Sequence, residues 1–122
     1  ERVVVLEKTN VCYIEKNKIK NLLDLIVCDV SFISVTKALE NILLITNKKA
    51  FLIILIKPQF EVEKNKVGKG GIIRENSMRK EVIKKIVFWL ESKIKWQIKG
   101  ICKSPIKGAK GNEEYLICAV KL

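Results

Sequence analysis

The sequence contains no histidine, and its four cysteines, Cys12, Cys28, Cys102 and Cys118, form no Cys-x-x-Cys pair. These absences argue against a metal site and exclude Ser-His-Asp and Cys-His catalysis. Acid–base chemistry would therefore have to use lysine, carboxylate or tyrosine side chains. Cys28 and Cys118 lie in apolar runs, where a thiol behaves as a small hydrophobic group. We expect all four thiols to be reduced, which favours a cytoplasmic protein.

Long apolar runs are also missing. No stretch reaches the roughly 20 apolar residues of a membrane-spanning helix, and the N-terminus has no signal-peptide pattern. The chain starts at Glu1, already inside a strand-like segment and without an initiator methionine, which suggests a piece of a longer protein. With 122 residues, of which 48% are hydrophobic and 30% charged, the composition is that of one globular domain.

Negative charge is scarce, because the chain has 24 Lys and Arg residues but 13 Asp and Glu residues, for a net charge of +11. The positive electrostatic field that results favours the binding of polyanions. A lysine-rich genome would give the same total, so the clustering of charge is more informative. Two glycine-containing loops, 61–76 and 103–113, carry the clustered lysines, which are Lys64, Lys66, Lys69, Lys107 and Lys110. They would contact RNA phosphates, with ordinary solvated lysines as the alternative.

Apolar segments that alternate with helical patterns predict an α/β fold. The sheet should be mostly parallel and covered on both faces, and the last two strands, which no helix separates, should form an antiparallel hairpin at one edge. We predict strands at Val3–Leu6, Leu25–Val30, Phe51–Ile56, Trp96–Cys102 and Tyr115–Val120. We predict helices over 15–24, from Ser34 as N-cap to about Thr46, and from Asn76 or Ser77 to about Lys93.

Three charged side chains should meet at one edge of this sheet. Asp29 comes near the end of its strand, Lys57 ends the apolar run before it, and Glu114 precedes the antiparallel last strand. Ligands of open α/β sheets bind outside the carboxyl ends of the strands, which is where all three would converge. The alternatives are that Lys57 is a solvated strand end, that Asp29 caps the following helix, and that Glu114 is a surface acid.

Four motifs, taken in their order along the chain, give the sequence a resemblance to a known family. They are "DVSFIS" (29–34), "IKPQFE" (56–61), "GGIIRE" (70–75) and "SPIKGAKGNEEYL" (104–116). Together they resemble the hemolysin-A-type (TlyA) rRNA 2′-O-ribose methyltransferases of the FtsJ-like group, and "VVVLEKTN" (3–10) resembles the segment around that family's third strand. The resemblance spans nearly the whole chain. It implies a class I, Rossmann-like methyltransferase sheet, mostly parallel, with an antiparallel C-terminal strand and without its first two strands.

The resemblance also implies roles for individual residues. The family has a catalytic Lys-Asp-Lys-Glu tetrad, in which Asp29 matches the acid, Lys57 the second lysine and Glu114 the glutamate. Glu114 is preferred to Glu113 because the family pattern is Gly-Asn-x-Glu. Asn10 follows the third family strand, where related enzymes contact the adenine of S-adenosylmethionine, so Asn10 and Asp29 are the implied cofactor contacts.

Several family features have no counterpart here. They are the first tetrad lysine, the glycine-rich cofactor loop, the acidic residue that ends the second strand and the N-terminal RNA-binding domain. Residues 1–122 would thus be a partial FtsJ-like methyltransferase domain. Without the first two strands, an exposed sheet edge would remain, which gives the hypothesis of a homodimer through that edge.

The expected activity is methyl transfer from S-adenosylmethionine to a ribose 2′-hydroxyl of ribosomal RNA, with free rRNA or ribosomal subunits as the partner. A 2′-hydroxyl is a very weak acid, so a base is needed. Lys57 serves as that base only if its ammonium is destabilised by desolvation or by a neighbouring cation. We expect little activity from this chain alone. The alternatives are a noncatalytic RNA-binding module and a hemolysin or cytotoxin acting on membranes, although no lytic amphipathic helix is present.

Overall fold

The computed structural model describes residues 2–15 and 18–122, and for Lys64 the backbone alone. One four-stranded sheet has the strand order β1-β2-β4-β3. β1 and β2 are parallel, and β4 is antiparallel to both of its neighbours, so β1, β2 and β3 share one direction. The predicted α/β fold with an antiparallel C-terminal strand is confirmed. The strands are β1 (Leu23–Cys28), β2 (Thr46–Ile56), β3 (Trp96–Lys103) and β4 (Tyr115–Lys121).

In the described part of the chain, two α-helices connect the strands. α1 (Val35–Leu39) joins β1 to β2, and α2 (Asn76–Phe88) precedes β3 and continues into a π-helical turn over Trp89–Lys93. α2 with this turn covers the predicted long helix, although Asn76 is its first helical residue and Glu75 occupies the N-cap position. No helix among the described residues is long and apolar enough to cross a lipid bilayer.

The helix that starts after Ser34 is shorter than predicted. Ser34 is the N-cap, as expected, and its Oγ accepts a hydrogen bond from the backbone N–H of Thr36 at 3.3 Å. The α-helix ends at Leu39, Ile42–Ile45 forms a 3₁₀ turn, and Thr46 already belongs to β2. The β-branched residues in this stretch have restricted side-chain rotamers in a helix and fit a strand better, which favours an early end.

The core lies between one face of the sheet and the two helices. Alternate residues of β2 and β4 point into it and are fully buried, as the period of two in a strand requires. The sheet contributes Leu52, Ile54, Ile56, Ile117 and Ala119 to this cluster, and the helical segments contribute Val35, Leu39, Val82, Ile86 and Leu90.

The other face of the sheet is open, so the prediction of cover on both faces is wrong for the described residues. Leu25 is 55% exposed and Val27 69% exposed, and both alternate with buried neighbours on β1. The connectivity explains this. The steps β1 to β2 and β2 to β3 advance in the same direction across the sheet, and right-handed crossovers of one direction place both helices on one face.

Two N-terminal predictions are wrong. Val3–Leu6 is exposed and forms no strand, because a β-branched run becomes a strand only where a neighbour supplies hydrogen-bond partners, and none of the described strands does. Within the predicted helix 15–24, residues 18–22 are not α-helical and Leu23 opens β1, while residues 16–17 lie outside the described residues. The homodimer hypothesis stays untested, with β1 as an edge strand.

The two faces of the sheet should differ in their tolerance of the same truncation. We expect Leu52→Ala to lower the free energy of unfolding by about 2–5 kcal/mol, because it opens a cavity in the closed core. Leu25→Ala, on the open face, is the matched control and should cost roughly 1 kcal/mol or less. Urea unfolding of both variants measures the difference. Equal losses would contradict the assignment of the two faces.

Candidate active site

Three charged residues lie at one edge of the sheet, where β1 and β2 end and β4 begins. Asp29 directly follows β1, Lys57 directly follows β2, and Glu114 directly precedes β4. Ile56 pairs with Tyr115 in the antiparallel ladder, so the next positions along it, Lys57 and Glu114, are across from each other. We call Asp29, Lys57 and Glu114 the rim trio.

The amine of Lys57 is held at this edge by Asp29. Lys57 Nζ lies 2.6 Å from Asp29 Oδ1 and donates a hydrogen bond to Ser31 Oγ at 3.1 Å. The Lys57 side chain is 16% exposed and that of Asp29 is 60% exposed. Lys57 is therefore not a freely solvated strand end, and the helix cap considered for Asp29 is supplied by Ser34 instead.

Glu114 reaches the same edge through different contacts. It is 6% exposed, which contradicts the alternative of a surface acid. Its Oε2 accepts a hydrogen bond from Gln59 Nε2 at 3.1 Å, and Gln59 lies two residues beyond Lys57 in the same turn. The α-carbon of Gly108 packs so closely against the carboxylate that a Cβ there would collide with it. Asp29 and Lys57 are thus in direct contact. Glu114 is linked to Lys57 by its place in the β2–β4 ladder and by its hydrogen bond with Gln59 of the Pro58–Phe60 turn.

Glu113 lies in a separate network, although it is adjacent to Glu114. Its Oε1 is 3.0 Å from Lys103 Nζ, and its Oε2 is 3.3 Å from Arg79 Nε. The hydrogen bond from Lys103 lowers the pKa of Glu113, with a smaller contribution from Arg79. Neighbouring residues at the start of a strand point to opposite sides, so one acid joins the rim trio and the other ties α2 to β3.

The "KPQFE" turn is anchored by a carboxylate that the sequence analysis did not single out. Glu61 accepts hydrogen bonds from Ser34 Oγ at 2.6 Å and from the backbone N–H of Val35 at 2.9 Å, so it caps the start of α1. Burial raises the pKa of Glu61, while these two hydrogen bonds and the charge of Lys85 act in the opposite direction.

A buried asparagine brings the two basic loops together. Asn112 Oδ1 accepts from the backbone N–H of Ile73 at 2.9 Å, and Asn112 Nδ2 donates to the carbonyl oxygens of Gly71 at 2.9 Å and Ala109 at 3.1 Å. Four of the five predicted RNA contacts are exposed on these loops, namely Lys66, Lys69, Lys107 and Lys110. The side chain of the fifth, Lys64, lies outside the described part of the structure.

The side chain of Asn10 makes a local contact that does not involve the rim trio. Its Oδ1 accepts from the backbone N–H of Cys12 at 2.9 Å and caps the 3₁₀ turn Val11–Tyr13. Cys12 in turn contacts α1, because its Sγ lies 3.5 Å from the carbonyl oxygen of Lys37. The structure therefore gives Asn10 a local capping role and does not bring it into hydrogen-bond contact with the three acid–base groups.

An open cleft of about 480 Å³ lies beside the Pro58–Phe60 turn. Phe32 and Phe60 form one wall, with ring centroids 4.8 Å apart. Phe32 is largely exposed and has a positive φ of 65°, a strained conformation for a bulky residue. Gln59, Val62, Val67, Gly68 and Gly71 complete the lining. Its two aromatic rings and two valines suit a flat, mostly apolar group.

The four thiols are free, and the environment of Cys28, the thiol nearest the site, makes it unreactive. Burial raises the pKa of Cys28 to about 11, and the charges of Asp29 and Glu61 add to this effect. A thiol with that pKa stays protonated at neutral pH, so Cys28 packs in β1 and supplies no nucleophile.

Comparison with known proteins supports one family. A profile described as FtsJ-like methyltransferase matches residues 1–121. The 16S/23S rRNA (cytidine-2′-O)-methyltransferase TlyA of Mycobacterium tuberculosis is 35% identical over 116 residues, which are 95% of this chain and 43% of that protein. Hemolysin A of Brachyspira hyodysenteriae is 42% identical over 118 residues, 94% of this chain and 48% of that protein. The chain spans less than half the length of either curated relative.

Solved structures show the same fold. The crystal structure of a candidate hemolysin from Lactococcus lactis is 35% identical and superimposes with a TM-score of 0.92, covering 100% of this chain and 58% of that one. An S-adenosylmethionine-dependent methyltransferase from Methanosarcina mazei has a TM-score of 0.56 at 14% identity, covering 93% of this chain and 65% of that one. The second likeness shows the fold alone, which is that of Rossmann-like methyltransferases.

The pKa of Glu61 is raised and that of Glu113 is lowered, so the two carboxyl groups should make stability depend on pH in opposite directions. The raised pKa of Glu61 means that the folded state binds this proton more tightly than the unfolded chain, so stability falls as pH rises above the ordinary value of 4.5. The lowered pKa of Glu113 means that stability is lost as pH falls below 4.5.

We expect Glu61→Gln to remove the decline on the alkaline side of 4.5 and Glu113→Gln to remove the loss on its acid side. The measurement is urea unfolding between about pH 3 and pH 7, taken as the difference between each variant and the native chain. Glu63→Gln, an exposed residue of the same loop as Glu61, is the control and should leave both slopes in place. A Glu61→Gln curve parallel to the native one would contradict the burial of that carboxylate.

Proposed function

The chain belongs to the FtsJ-like methyltransferase family, and from that membership we propose that its parent protein methylates a ribose 2′-hydroxyl of ribosomal RNA. The observation that carries the proposal is the contact of Lys57 with Asp29 at the carboxyl ends of β1 and β2, with Glu114 across from Lys57. The similarity to an rRNA (cytidine-2′-O)-methyltransferase supports RNA ribose as the substrate class.

In this proposal Lys57 is the general base. To act as the base, Lys57 must first give up its ammonium proton, because the carboxylate of Asp29 at 2.6 Å favours the charged form. The amine would then take the proton of the 2′-hydroxyl as the ribose oxygen accepts the methyl group. When bound, S-adenosylmethionine would supply an electrophilic methyl group on a sulfonium, whose sulfur would become a neutral thioether after the transfer. Asp29 holds the amine at 2.6 Å and Glu114 helps to align the ribose, since displacement at carbon depends chiefly on the geometry of attack. The apolar strand behind Lys57 limits its hydration, because only 16% of the side chain is exposed.

The methyl donor would be held only in part by the described residues. Asp29, 60% exposed, keeps acceptor capacity beside Lys57, whereas the Oδ1 of Asn10 is engaged in a local cap. The glycine-rich loop that follows the first strand in the family has no counterpart among the described residues. The residues present thus fit one side of a cofactor site, with Asp29 the better placed of the two proposed contacts.

The exposed lysines of the clamped loops are proposed to bind RNA phosphates. Lys66, Lys69, Lys107 and Lys110 are exposed, and Asn112 holds their two loops together next to the rim trio. Lys64 is included by its sequence position. Such contacts position a substrate without reading its sequence. An rRNA substrate also agrees with the proposed cytoplasmic location. A homodimer through the free edge of β1 remains part of the proposal.

Replacing Lys57 separates catalysis from binding. In a form of the protein extended to the length of its relatives, Lys57→Ala should reduce methyl transfer by about 10²- to 10⁴-fold and leave RNA affinity nearly unchanged. Lys48→Ala, an exposed lysine at the opposite end of β2, is the matched control and should keep full activity. The measurements are transfer of a tritiated methyl group and RNA binding. Full activity of the Lys57 variant would contradict the role of Lys57 as the base. RNA binding without methyl transfer by the native extended protein would favour the second candidate, a noncatalytic RNA-binding module, which the clamped basic loops support.

The 122-residue chain alone should transfer little or no methyl group. Its described residues form only one side of a cofactor site, so binding of the donor should be weak. Tritium transfer to purified rRNA and to ribosomal subunits measures this. Robust transfer by these 122 residues would overturn the prediction and show that the cofactor site is complete within them.

A further inference from the structure

The carboxylate of Glu114 is confined by two neighbours, Gln59 and Gly108, which lie within the quoted motifs but have no role assigned to them. On one side the carboxamide of Gln59 donates to Oε2 at 3.1 Å. On the other side the α-carbon of Gly108 approaches so closely that any side chain would displace the carboxylate. Gln59 is 8% exposed and Glu114 is 6% exposed, so solvent has little access to either group.

The orientation of the Gln59 amide follows from chemistry. If the amide were turned over, its oxygen would face a carboxylate oxygen, and two acceptors repel each other. With Nε2 directed at Glu114, the Oε1 of Gln59 is buried and has no hydrogen-bond partner among the described protein atoms. Buried polar atoms in proteins nearly always have partners, so an orphan needs a reason. The reason that the geometry offers is the bond from the other end of the amide to Glu114.

We propose that Gln59 is a positioning residue that fixes the orientation of Glu114, and that position 108 lacks a side chain to leave room for that carboxylate. The inference rests on the proposed role of Glu114 in methyl transfer. Gln59 acts through Glu114 and touches no reacting atom. Its turn, Pro58–Phe60, starts directly after Lys57, so a single short segment places the proposed base and aligns the acid across from it.

A spectroscopic test needs no activity. In the native chain one side-chain amide proton of Gln59 should resonate downfield of ordinary glutamine amides and exchange slowly with solvent. Gly108→Ala should abolish this signature, because a methyl group displaces the carboxylate. Gly100→Ala is the matched control, since a Cβ at position 100 meets nothing within 4 Å, and it should preserve the signature. An ordinary Gln59 amide in the native chain, or one that Gly108→Ala leaves unchanged, would overturn the proposal whatever the protein does.

An activity test in the extended protein separates positioning from mere packing. Gln59→Leu should lower kcat on the order of 10-fold or more with little change in the KM for RNA, because alignment and not binding is lost. Gln59→Glu can donate to Glu114 only when its carboxyl is protonated, so its activity relative to the native enzyme should rise as the pH is lowered. A relative activity that stays flat with pH would refute the positioning role. If the native enzyme transfers no methyl group, the proposed function fails, and the amide signature still decides the placement of Glu114 by Gln59.

Discussion

The central position of β2 is the constraint on which the site depends. β2 pairs in parallel with β1 on one side and antiparallel with β4 on the other. Its apolar residues fix the register, because a slip by one residue would turn Leu52, Ile54 and Ile56 out of the core. Once that register is set, Lys57 must leave the sheet between Asp29 and Glu114. The ion pair of Lys57 with Asp29 is thus a consequence of core packing.

The segment after β2 connects this register to the rest of the molecule. Within five residues it supplies the amine of Lys57, the amide that contacts Glu114 and the carboxylate of Glu61 that caps α1. A second clamp, Asn112, holds the glycine-containing loop before α2 against the loop before β4. Buried hydrogen bonds of this kind impose one arrangement, because breaking any of them leaves an unpartnered polar group. The basic surface and the rim trio are therefore fixed relative to each other.

Much of the fold could be predicted from local patterns. The apolar period of β2, the stripe of α2 and the hairpin of β3 and β4 reflect which residues a strand or helix buries, and that information is local. Two of the failures share one cause, which is that a local pattern does not show which neighbouring element will cover a segment. Val3–Leu6 has the apolar pattern of a strand but pairs with none of the described strands. The outward residues of β1 have the pattern of buried residues, but no described helix covers them.

The candidate site was predictable to a similar degree. Asp29, Lys57 and Glu114 could be found because strand ends in α/β sheets collect ligand-binding groups. Gln59, Glu61 and Asn112 could not, since their importance lies in partners 26 to 55 positions away in the sequence, as for Glu61 with Val35 and Gln59 with Glu114. The motif "IKPQFE" includes Gln59 and Glu61, but a motif by itself does not say which partners its residues contact.

A double-mutant cycle on Asp29 and Lys57 tests the central claim most directly. The free energy of unfolding is measured for the native chain, Asp29→Asn, Lys57→Met and the double variant. The account predicts a stabilising coupling of about 0.2–1 kcal/mol, the range typical of exposed ion pairs in such cycles. Additive effects, with a coupling indistinguishable from zero, would mean that the two groups do not meet at the edge of the sheet, and would contradict the account.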